Sequence, residues 1–314
     1  MRTLIVGAGA TGGYYGARLA ESGADVTFLV RPARAAKLAA NGLVVRSPLG
    51  DLHIPDPPTV TADRLAQAGQ FDLILLSCKA YDLDSAVADL APAVGAGTAI
   101  LPILNGMAHL DALDAHFGAE RVLGGSCAIA ATLAHDGAIR HMSELCSITY
   151  GERDGSRSAR IEAVDALMRG LKFQPRLSDV ILLEMWEKWV FLATLAGATT
   201  LMRAAIGDIV AAPGGAAFIA ALHAECMAVA AASGYEPRAV AVERARGQLT
   251  APGSTFTASM LRDIENKGRI EADHVVGDLL ARGRRLLPDV AFPVLTEVFM
   301  ALKAYEARRA RETA

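Results

Sequence analysis

Residues 3–12 read TLIVGAGATG, an apolar run that leads into a glycine-rich turn, and residues 13–20 continue with a helical pattern. This order predicts a buried strand, a tight turn and the start of a helix. In such a turn Gly7 permits the sharp reversal, Gly9 lets backbone amides approach a pyrophosphate, and Gly12 allows close packing of helix on strand. Phosphates are stabilised there by the unpaired N–H groups and the dipole of the helix N-terminus. The opening of the chain therefore predicts a dinucleotide-binding site.

Length and composition predict a two-domain protein with small-molecule partners. The chain has 314 residues, of which 52% are hydrophobic and 21% charged, and its mean hydropathy is +0.30. Single cores stop growing near roughly 250–300 residues, so we expect two domains. The net charge of -3 gives no general attraction for nucleic acid or an anionic membrane. The longest uncharged apolar run, residues 189–202, is shorter than the roughly 20 residues of a membrane helix. We expect a buried core helix there and a cytoplasmic protein.

The cysteines and histidines show no metal-binding pattern. The four cysteines are Cys78, Cys127, Cys146 and Cys226. They lack CxxC spacing, so we expect reduced thiols rather than a disulfide framework or a zinc site. His135 and His141 lie close together in the sequence, but no HExxH pattern or paired carboxylate accompanies them. We therefore expect no metal.

The first half of the chain alternates between strand and helix patterns. Continuously apolar segments predict buried parallel strands at residues 4–6, 26–30, 73–77, 99–104 and 122–123. Helical segments are predicted between them, at residues 13–22, 32–41 and 83–90. A hairpin over residues 43–54 is expected at the edge of this sheet, with further strands at residues 128–134, 138–142 and 147–150. This alternation predicts an α/β fold with a Rossmann-type doubly wound sheet.

After residue 174 the strand signal ends and only helical patterns follow. One helix is predicted at residues 158–171, before this boundary. Those beyond it are predicted at residues 181–202, 215–233, 238–247, 254–267, 272–285 and 293–311. We therefore predict a dinucleotide-binding domain over residues 1–174 and an all-α domain over residues 175–314.

The end of the second strand indicates which dinucleotide is bound. An NAD site carries an acidic residue there, about 20 positions beyond the glycines, to hold the ribose 2′-hydroxyl. This strand ends on Arg31, with Arg34 one helical turn later, and Asp25 lies at its opposite end. An arginine binds a 2′-phosphate through charge-assisted hydrogen bonds, whereas a carboxylate repels it. We therefore predict NADP(H) as the cofactor, although Arg31 could also simply begin a surface helix.

Further polar residues occupy positions suited to chemistry. They are Lys79 and Asn105 after two predicted strands, Lys188 beside the long apolar run, and Ser259 and Glu271 in the helical domain. Strand C-terminal ends are where a doubly wound sheet binds its ligands. Each residue also has a structural interpretation. Lys188 could snorkel from a buried helix, Ser259 could bond to the preceding turn, and Asn105 could only shape its Asn-Gly turn.

Together these segments resemble the ketopantoate reductase family, the NADPH-dependent 2-dehydropantoate 2-reductases. The similarity follows the whole chain in order: GAGATGG, the arginine after the second strand, SCKAYD, LNGM, EKW and SMLRDIENKGRIEAD. It implies that Lys188 is the general acid and that Glu271 orients it and contacts the substrate. It also implies that Ser259 contacts the substrate carboxylate and that Lys79 and Asn105 lie beside the nicotinamide and the substrate.

The chemistry is consistent with this resemblance. Hydride addition to a 2-oxo group places negative charge on the carbonyl oxygen, and a lysine ammonium stabilises and protonates that oxygen. The implied reaction is the NADPH-dependent reduction of 2-dehydropantoate to pantoate, a step of pantothenate biosynthesis. Because the cofactor residues and Lys188 belong to different predicted domains, we expect both domains to contribute to the site.

The substrate-binding positions depart from the family pattern. Family members that act on ketopantoate commonly carry asparagines one and two helical turns after the catalytic lysine, where this chain has Leu192 and Ala196. A further asparagine, three residues before the family serine, is replaced by Phe256. Lost amides remove strong discrimination for a substrate hydroxyl or carboxylate. A more apolar 2-oxo acid is therefore an alternative substrate.

Two other functional classes remain open from the sequence. A regulatory protein that senses NADPH would bind the cofactor without chemistry and would not need Lys188 and Glu271. An opine-type dehydrogenase shares the two-domain plan but requires an amino-acid co-substrate. The alanine- and leucine-rich helices could also bury a homodimer face, and a small-molecule 2-oxo acid is the expected partner.

Overall fold

The computed structural model describes residues 1–313, which divide into two compact units. The first unit comprises Met1–Leu104 and His109–Ile181, and the second comprises Asn105–Ala108 and the chain from Leu182 onward. The division near residue 181 falls later than the predicted boundary after residue 174. Asn105, predicted as part of the first domain, groups with the helical unit.

The first unit contains ten strands. In chain order they are β1 (Thr3–Val6), β2 (Val26–Leu29), β3 (Leu43–Arg46), β4 (Leu52–Ile54), β5 (Thr59–Val60), β6 (Leu73–Leu76), β7 (Ala99–Pro102), β8 (Gly124–Leu133), β9 (Ile139–Gly151) and β10 (Gln174–Leu177). Five of them form a parallel sheet in the order β5-β2-β1-β6-β7. The buried strands β1 and β6 carry only β-branched or leucine side chains, as strands covered on both faces require. The predicted Rossmann-type parallel sheet is confirmed.

The remaining strands form a second sheet that the sequence did not predict. Its order is β10-β9-β3-β4, and β8 pairs with β9. The β3–β4 hairpin is therefore not at the edge of the parallel sheet, as predicted. It pairs instead with β9 through Val45 and Arg46, because β9 is a long strand whose edge is open to it. The strand predicted at residues 122–123 is likewise reduced to a single bridge between Ile100 and Val122.

Helix α1 (Ala10–Glu21) contacts strands of both sheets. Its glycines make this possible, since a Cβ on Gly16 would lie 2.5 Å from the Phe28 ring and one on Gly13 would lie 2.5 Å from Ile139. The other helices of this part of the chain are α2 (Pro32–Asn41), α3 (Ala62–Ala68), α4 (Leu83–Leu90), α5 (Ala108–Phe117) and α6 (Ala159–Met168). The glycines that follow the first strand thus hold a buried helix close to its neighbours.

The second unit is helical. Its helices are α7 (Ile181–Met202), α8 (Ile206–Ala211), α9 (Gly215–Ala232), α10 (Ala239–Leu249), α11 (Ser259–Glu265), α12 (Asp278–Leu286) and α13 (Pro293–Thr313). A π-helical turn, Asp273–Gly277, leads into α12. In α7 the buried hydroxyls of Thr194 and Thr199 donate to the carbonyls four residues earlier, at 2.8 and 2.7 Å. This bonding lets polar side chains enter an apolar helix. The helical second unit agrees with the predicted fold class.

One described helix, α9, is long and apolar enough to cross a membrane by length and hydropathy. Its Glu225 accepts hydrogen bonds from the backbone N–H groups of Val294 and Leu295, at 3.0 and 2.8 Å. The carboxylate thus caps the N-terminus of α13, whose first amides have no intrahelical acceptor. This contact and the packing of α9 against α8, α12 and α13 are those of a core helix.

Candidate active site

The glycine turn after β1 has the geometry that its sequence predicts. Gly7 adopts a φ of 94°, a left-handed conformation that favours glycine. A Cβ on Gly12 would lie 2.0 Å from Oγ of Ser77 and 2.3 Å from the carbonyl oxygen of Gly7. A Cβ on Gly9 would meet no atom within 4 Å. Gly12 is therefore required for packing, whereas Gly9 borders open space where a ligand can approach the backbone.

The N-terminus of α1 offers donors to an anion. Gly9 is its N-cap and provides no side-chain cap, and the first turn contains no acidic residue. The first amides of the helix therefore lack an intrahelical acceptor, and the helix dipole adds partial positive charge. Open space at Gly9 and unoccupied amide donors are the features that a dinucleotide pyrophosphate requires. The residues present fit such a cofactor.

Arg31 lies where a 2′-phosphate contact was predicted, and it forms an ion pair with a carboxylate. It is the N-cap of α2, two residues after the end of β2, and 68% of its side chain is exposed. Its Nη2 lies 3.0 Å from Oδ1 of Asp82. Asp25 is at the opposite end of β2, where it lies 3.8 Å from Arg2. Arg31 is therefore the exposed basic group at the end of the second strand, but it is already bound to a carboxylate.

Arg34 points into the protein rather than towards solvent. Its Nε donates to the carbonyl of Ala8 at 3.0 Å, and its Nη1 donates to the carbonyl of Gly137 at 3.1 Å. Burial lowers the pKa of this guanidinium. It remains charged at neutral pH, because the ordinary pKa of arginine is far above 7. Arg34 thus connects the glycine turn to the β8–β9 hairpin, a structural role that its position one turn after Arg31 does not reveal.

Lys79 follows β6 and begins a short 3₁₀ turn, Ala80–Asp82. Its carbonyl accepts a hydrogen bond from the backbone N–H of Asp82 at 2.9 Å. Two residues earlier, Oγ of Ser77 donates to the carbonyl of Val6 at 3.0 Å. The segment that carries Lys79 is therefore attached to the end of β1, next to the glycine turn.

In the second unit Asn105 and Gly106 contact His274, a residue that the sequence interpretation missed. Gly106 has a φ of 78°, and a Cβ on it would lie 2.8 Å from the carbonyl oxygen of His274. The His274 side chain is hydrogen-bonded to the backbone of Asn105, and burial lowers its pKa while the neighbouring Glu271 opposes this shift. Glu271 lies just before the π-helical turn Asp273–Gly277, and His274 lies within it. The signal that could have identified His274 is its closeness in the sequence to Glu271, a predicted site residue.

Lys188 is half-buried on α7 between two anchored neighbours. The indole Nε1 of Trp189 donates to the carbonyl of Val275 at 2.8 Å, and Glu187 accepts hydrogen bonds of 2.7 and 2.6 Å from Arg238. The N–H of Val275 in turn donates to the carbonyl of Glu271 at 3.0 Å. The structure therefore joins the turn of α7 that carries Lys188 to the segment that carries Glu271.

Ser259 is exposed and is the first residue of α11 rather than an interior helical position. The N–H of the preceding Ala258 donates to Oγ1 of Thr199 on α7 at 3.4 Å. This contact brings the start of α11 to the same helix that carries Lys188, about three turns further along it.

The three departures from the family pattern also lie in this unit. Leu192 is half-buried and Ala196 is buried on α7. Phe256 is exposed, and its ring stacks on Phe191 with a centroid distance of 6.1 Å and an interplanar angle of 22°. Where the family pattern has amides, this chain therefore has aliphatic and aromatic side chains.

The parallel sheet, the glycine turn with its uncapped helix and the basic residue after β2 are typical of dinucleotide-dependent oxidoreductases, and here a helical second unit follows them. Comparison with known proteins identifies the family. Residues 3–155 match the model of "Ketopantoate reductase PanE/ApbA", and residues 180–306 match that of its C-terminal domain. The chain belongs to the ketopantoate reductase family. The resemblance stated from the motifs is confirmed, and so are the oxidoreductase class and the use of an NAD(P)H cofactor.

Individual relatives support this assignment over the full chain. An uncharacterized oxidoreductase of Bacillus subtilis, YkpB, is 37% identical over 309 residues, which cover 98% of this chain and 100% of the relative. A solved 2-dehydropantoate 2-reductase from Geobacter metallireducens superposes with a TM-score of 0.86 at 31% identity, covering 97% of this chain and 99% of that one. A D-mandelate dehydrogenase solved with NADH and anilino(oxo)acetate shares the fold, with a TM-score of 0.87 at 23% identity and 99% coverage of both chains.

Proposed function

We propose that this chain catalyses the NADPH-dependent reduction of a 2-oxo acid to a 2-hydroxy acid, with 2-dehydropantoate as the first candidate substrate. The observation that carries the proposal is the hydrogen bond from Trp189 to Val275, which joins the Lys188 turn to the Glu271 segment. A protein that only binds a nucleotide would not need Lys188 and Glu271 on two joined segments. With 2-dehydropantoate as substrate, the protein acts in pantothenate biosynthesis.

In this proposal the first unit binds the phosphates of the cofactor. Gly7, Gly9 and Gly12 shape the turn, the amides of α1 bind the pyrophosphate, and Arg31 binds the 2′-phosphate of NADPH. Lys79 and Asn105 contact the nicotinamide end. When bound, NADPH supplies a hydride to the carbonyl carbon of the substrate.

The second unit supplies the proton and the substrate contacts. Lys188 stabilises the charge that develops on the carbonyl oxygen and donates the proton that completes the hydroxyl group. Glu271 orients the ammonium of Lys188 and contacts the substrate. Asn105 and Ser259 bind the substrate, with Ser259 at the carboxylate.

The proposal is tested by following NADPH consumption with 2-dehydropantoate in the wild type and in Lys188→Ala. The wild type should turn over, and Lys188→Ala should lose about 10²-fold or more in kcat, the usual contribution of a general acid. Its affinity for NADPH should stay within about twofold, because the cofactor contacts remain. If the wild type binds NADPH but reduces no 2-oxo acid, with or without an amino-acid co-substrate, the NADPH-sensor alternative is correct instead.

A second candidate, a more apolar 2-oxo acid, is favoured by the stacked rings of Phe191 and Phe256 and by Leu192 and Ala196. An aromatic or long aliphatic side chain would bury apolar surface against these residues, whereas the hydroxyl of ketopantoate would find no amide there. The test compares kcat/KM for 2-dehydropantoate with that for branched and aromatic 2-oxo acids. If ketopantoate is preferred and Leu192→Asn brings no gain in its kcat/KM, this second candidate is wrong.

A further inference from the structure

The ion pair between Arg31 and Asp82 crosses the carboxyl end of β1. Strand β1 lies between β2 and β6, with Val6 opposite Leu29 on one side and Leu76 on the other. Arg31 follows β2 and Asp82 follows β6, so their side chains meet across the strand that leads into the glycine turn. The two outer strands are separated by two strand spacings, about 10 Å. The 3.0 Å contact therefore spans the place where the glycine turn receives a dinucleotide.

The two partners differ in how firmly they are held. The Asp82 side chain is 26% exposed, and its backbone N–H is fixed to Lys79 within the 3₁₀ turn. The Arg31 side chain is 68% exposed, and this long chain has many rotamers. A ligand that attracts Arg31 therefore moves the arginine, while the Asp82 carboxylate stays beside the glycine turn.

We propose that Asp82 is a specificity-determining residue that competes with the 2′-phosphate of NADPH for Arg31 and so reduces the preference for NADPH over NADH. This inference rests on the proposed function, in which Arg31 binds that phosphate. With NADPH, the guanidinium must leave Asp82 or be shared with it, and the carboxylate repels a phosphate of about −1.5 to −2 charge. With NADH, which lacks the 2′-phosphate, Arg31 keeps its contact with Asp82.

The size of the effect follows from the exposure of the pair. A charge–charge interaction in a water-exposed site is screened by solvent and salt, and an exposed ion pair contributes little by itself. Removing the Asp82 charge should therefore change NADPH affinity by about three- to tenfold rather than by orders of magnitude. The change should be larger at low salt than at high salt.

The experiment measures equilibrium binding of NADPH, NADH, 2′-AMP and 5′-AMP to the full-length wild type, Asp82→Asn and Asp84→Asn. Asp84 is exposed in the first turn of α4. Asp84→Asn is the matched control, because it removes the same charge two residues away from Asp82. Asp82→Asn should bind NADPH and 2′-AMP about three- to tenfold more tightly, with no gain for NADH or 5′-AMP. Asp84→Asn should change all four affinities by less than about twofold.

A double variant tests whether the gain in NADPH affinity depends on Arg31. Adding Asp82→Asn to Arg31→Gln should bring a smaller gain for NADPH than in the wild type, because the competition needs Arg31. Unchanged or weaker NADPH binding in Asp82→Asn, or an equal gain in Asp84→Asn, would overturn the inference. These outcomes are distinct from failure of the proposed function, in which the wild type would bind neither NADPH nor NADH or would reduce no 2-oxo acid.

Discussion

The hydroxyl of Tyr305 on α13 donates a 2.8 Å hydrogen bond to the carbonyl of Gly268. Two neighbouring contacts act on the same segment, since Arg309 donates to the carbonyl of Lys267 at 2.9 Å and Lys303 lies 2.8 Å from the carboxylate of Asp273. Helix α13 therefore holds both ends of the segment that carries Glu271.

We expect Tyr305→Phe to lower the free energy of unfolding by about 1 kcal/mol, because a part-buried carbonyl loses its donor. It should also reduce kcat for 2-oxo acid reduction by about threefold or more while NADPH affinity is unchanged, since a small misplacement of a reacting group is costly. Urea unfolding and steady-state kinetics measure the two effects. Arg311→Ala, an exposed position on the same helix, is the control. A stability loss without any change in kcat would show that α13 only packs against this segment.

The glycine turn provides a pair of alanine substitutions with different outcomes. Gly12→Ala forces a Cβ to within 2.3 Å of a backbone oxygen, so it should destabilise the fold by about 1–3 kcal/mol as well as weaken cofactor binding. In Gly9→Ala the added Cβ meets no protein atom within 4 Å. The thermal unfolding of this variant should therefore change little, while its NADPH affinity falls at least about tenfold. Differential scanning calorimetry and NADPH titration separate the two effects.

The control for Gly9→Ala is Gly97→Ala, which also adds a methyl group with no atom within 4 Å. Gly97 is far from the glycine turn in the sequence. It should leave both unfolding and NADPH binding unchanged. If Gly9→Ala binds NADPH as tightly as Gly97→Ala does, the dinucleotide does not approach the backbone at Gly9.

Substitutions of His274 test whether its hydrogen bond positions Asn105. Its side chain bonds to the backbone of Asn105, so His274→Ala should loosen the Asn-Gly turn and lower kcat/KM for the 2-oxo acid by about tenfold. His274→Gln keeps a hydrogen-bond donor and should recover part of this loss. His116→Ala, at an exposed histidine bonded within its own helix, should have wild-type kinetics. Equal losses in the alanine and glutamine variants would count against a positioning hydrogen bond.

A buried carboxylate in the first unit should make stability depend on pH. Arg160 donates to both oxygens of Glu152, at 2.7 and 2.6 Å, and these hydrogen bonds lower the pKa of the carboxyl group. Because the folded-state pKa lies below the unfolded one, the stabilisation is complete above about pH 5 and is lost as the pH falls through the acid range.

The prediction is that Glu152→Gln destabilises the protein at neutral pH but by less at about pH 3.5, which lies below the ordinary pKa of a glutamate in an unfolded chain, so that the unfolded state gains a proton there. Denaturant unfolding at both pH values measures this difference. Asp56→Asn, at an exposed position, should cause no comparable change. An equal destabilisation at both pH values would mean that the charge of Glu152 does not stabilise the fold.

The sequence predicted those parts of the fold that depend on neighbouring residues. The apolar runs of β1 and β6, the turn at Gly7 and the helix after it could be predicted because each arises from contacts a few residues apart. The β3–β4 hairpin was also recognised, but its place was predicted wrongly. Its pairing with β9 joins Val45 to Ile139, and periodicity carries no information about a partner so far along the chain.

The same distinction applies to the candidate site. The sequence alone determined the glycine turn, the basic residue after the second strand and, through the ordered motifs, the family and its chemistry, because these are local patterns of residue type. Only the tertiary structure decided that Arg31 is paired with Asp82, that Arg34 turns inward to Ala8, and that His274 contacts Asn105. Each of these contacts joins residues brought together by strand order or helix packing. Their partners are therefore set by how the whole chain buries its apolar surface rather than by any one segment.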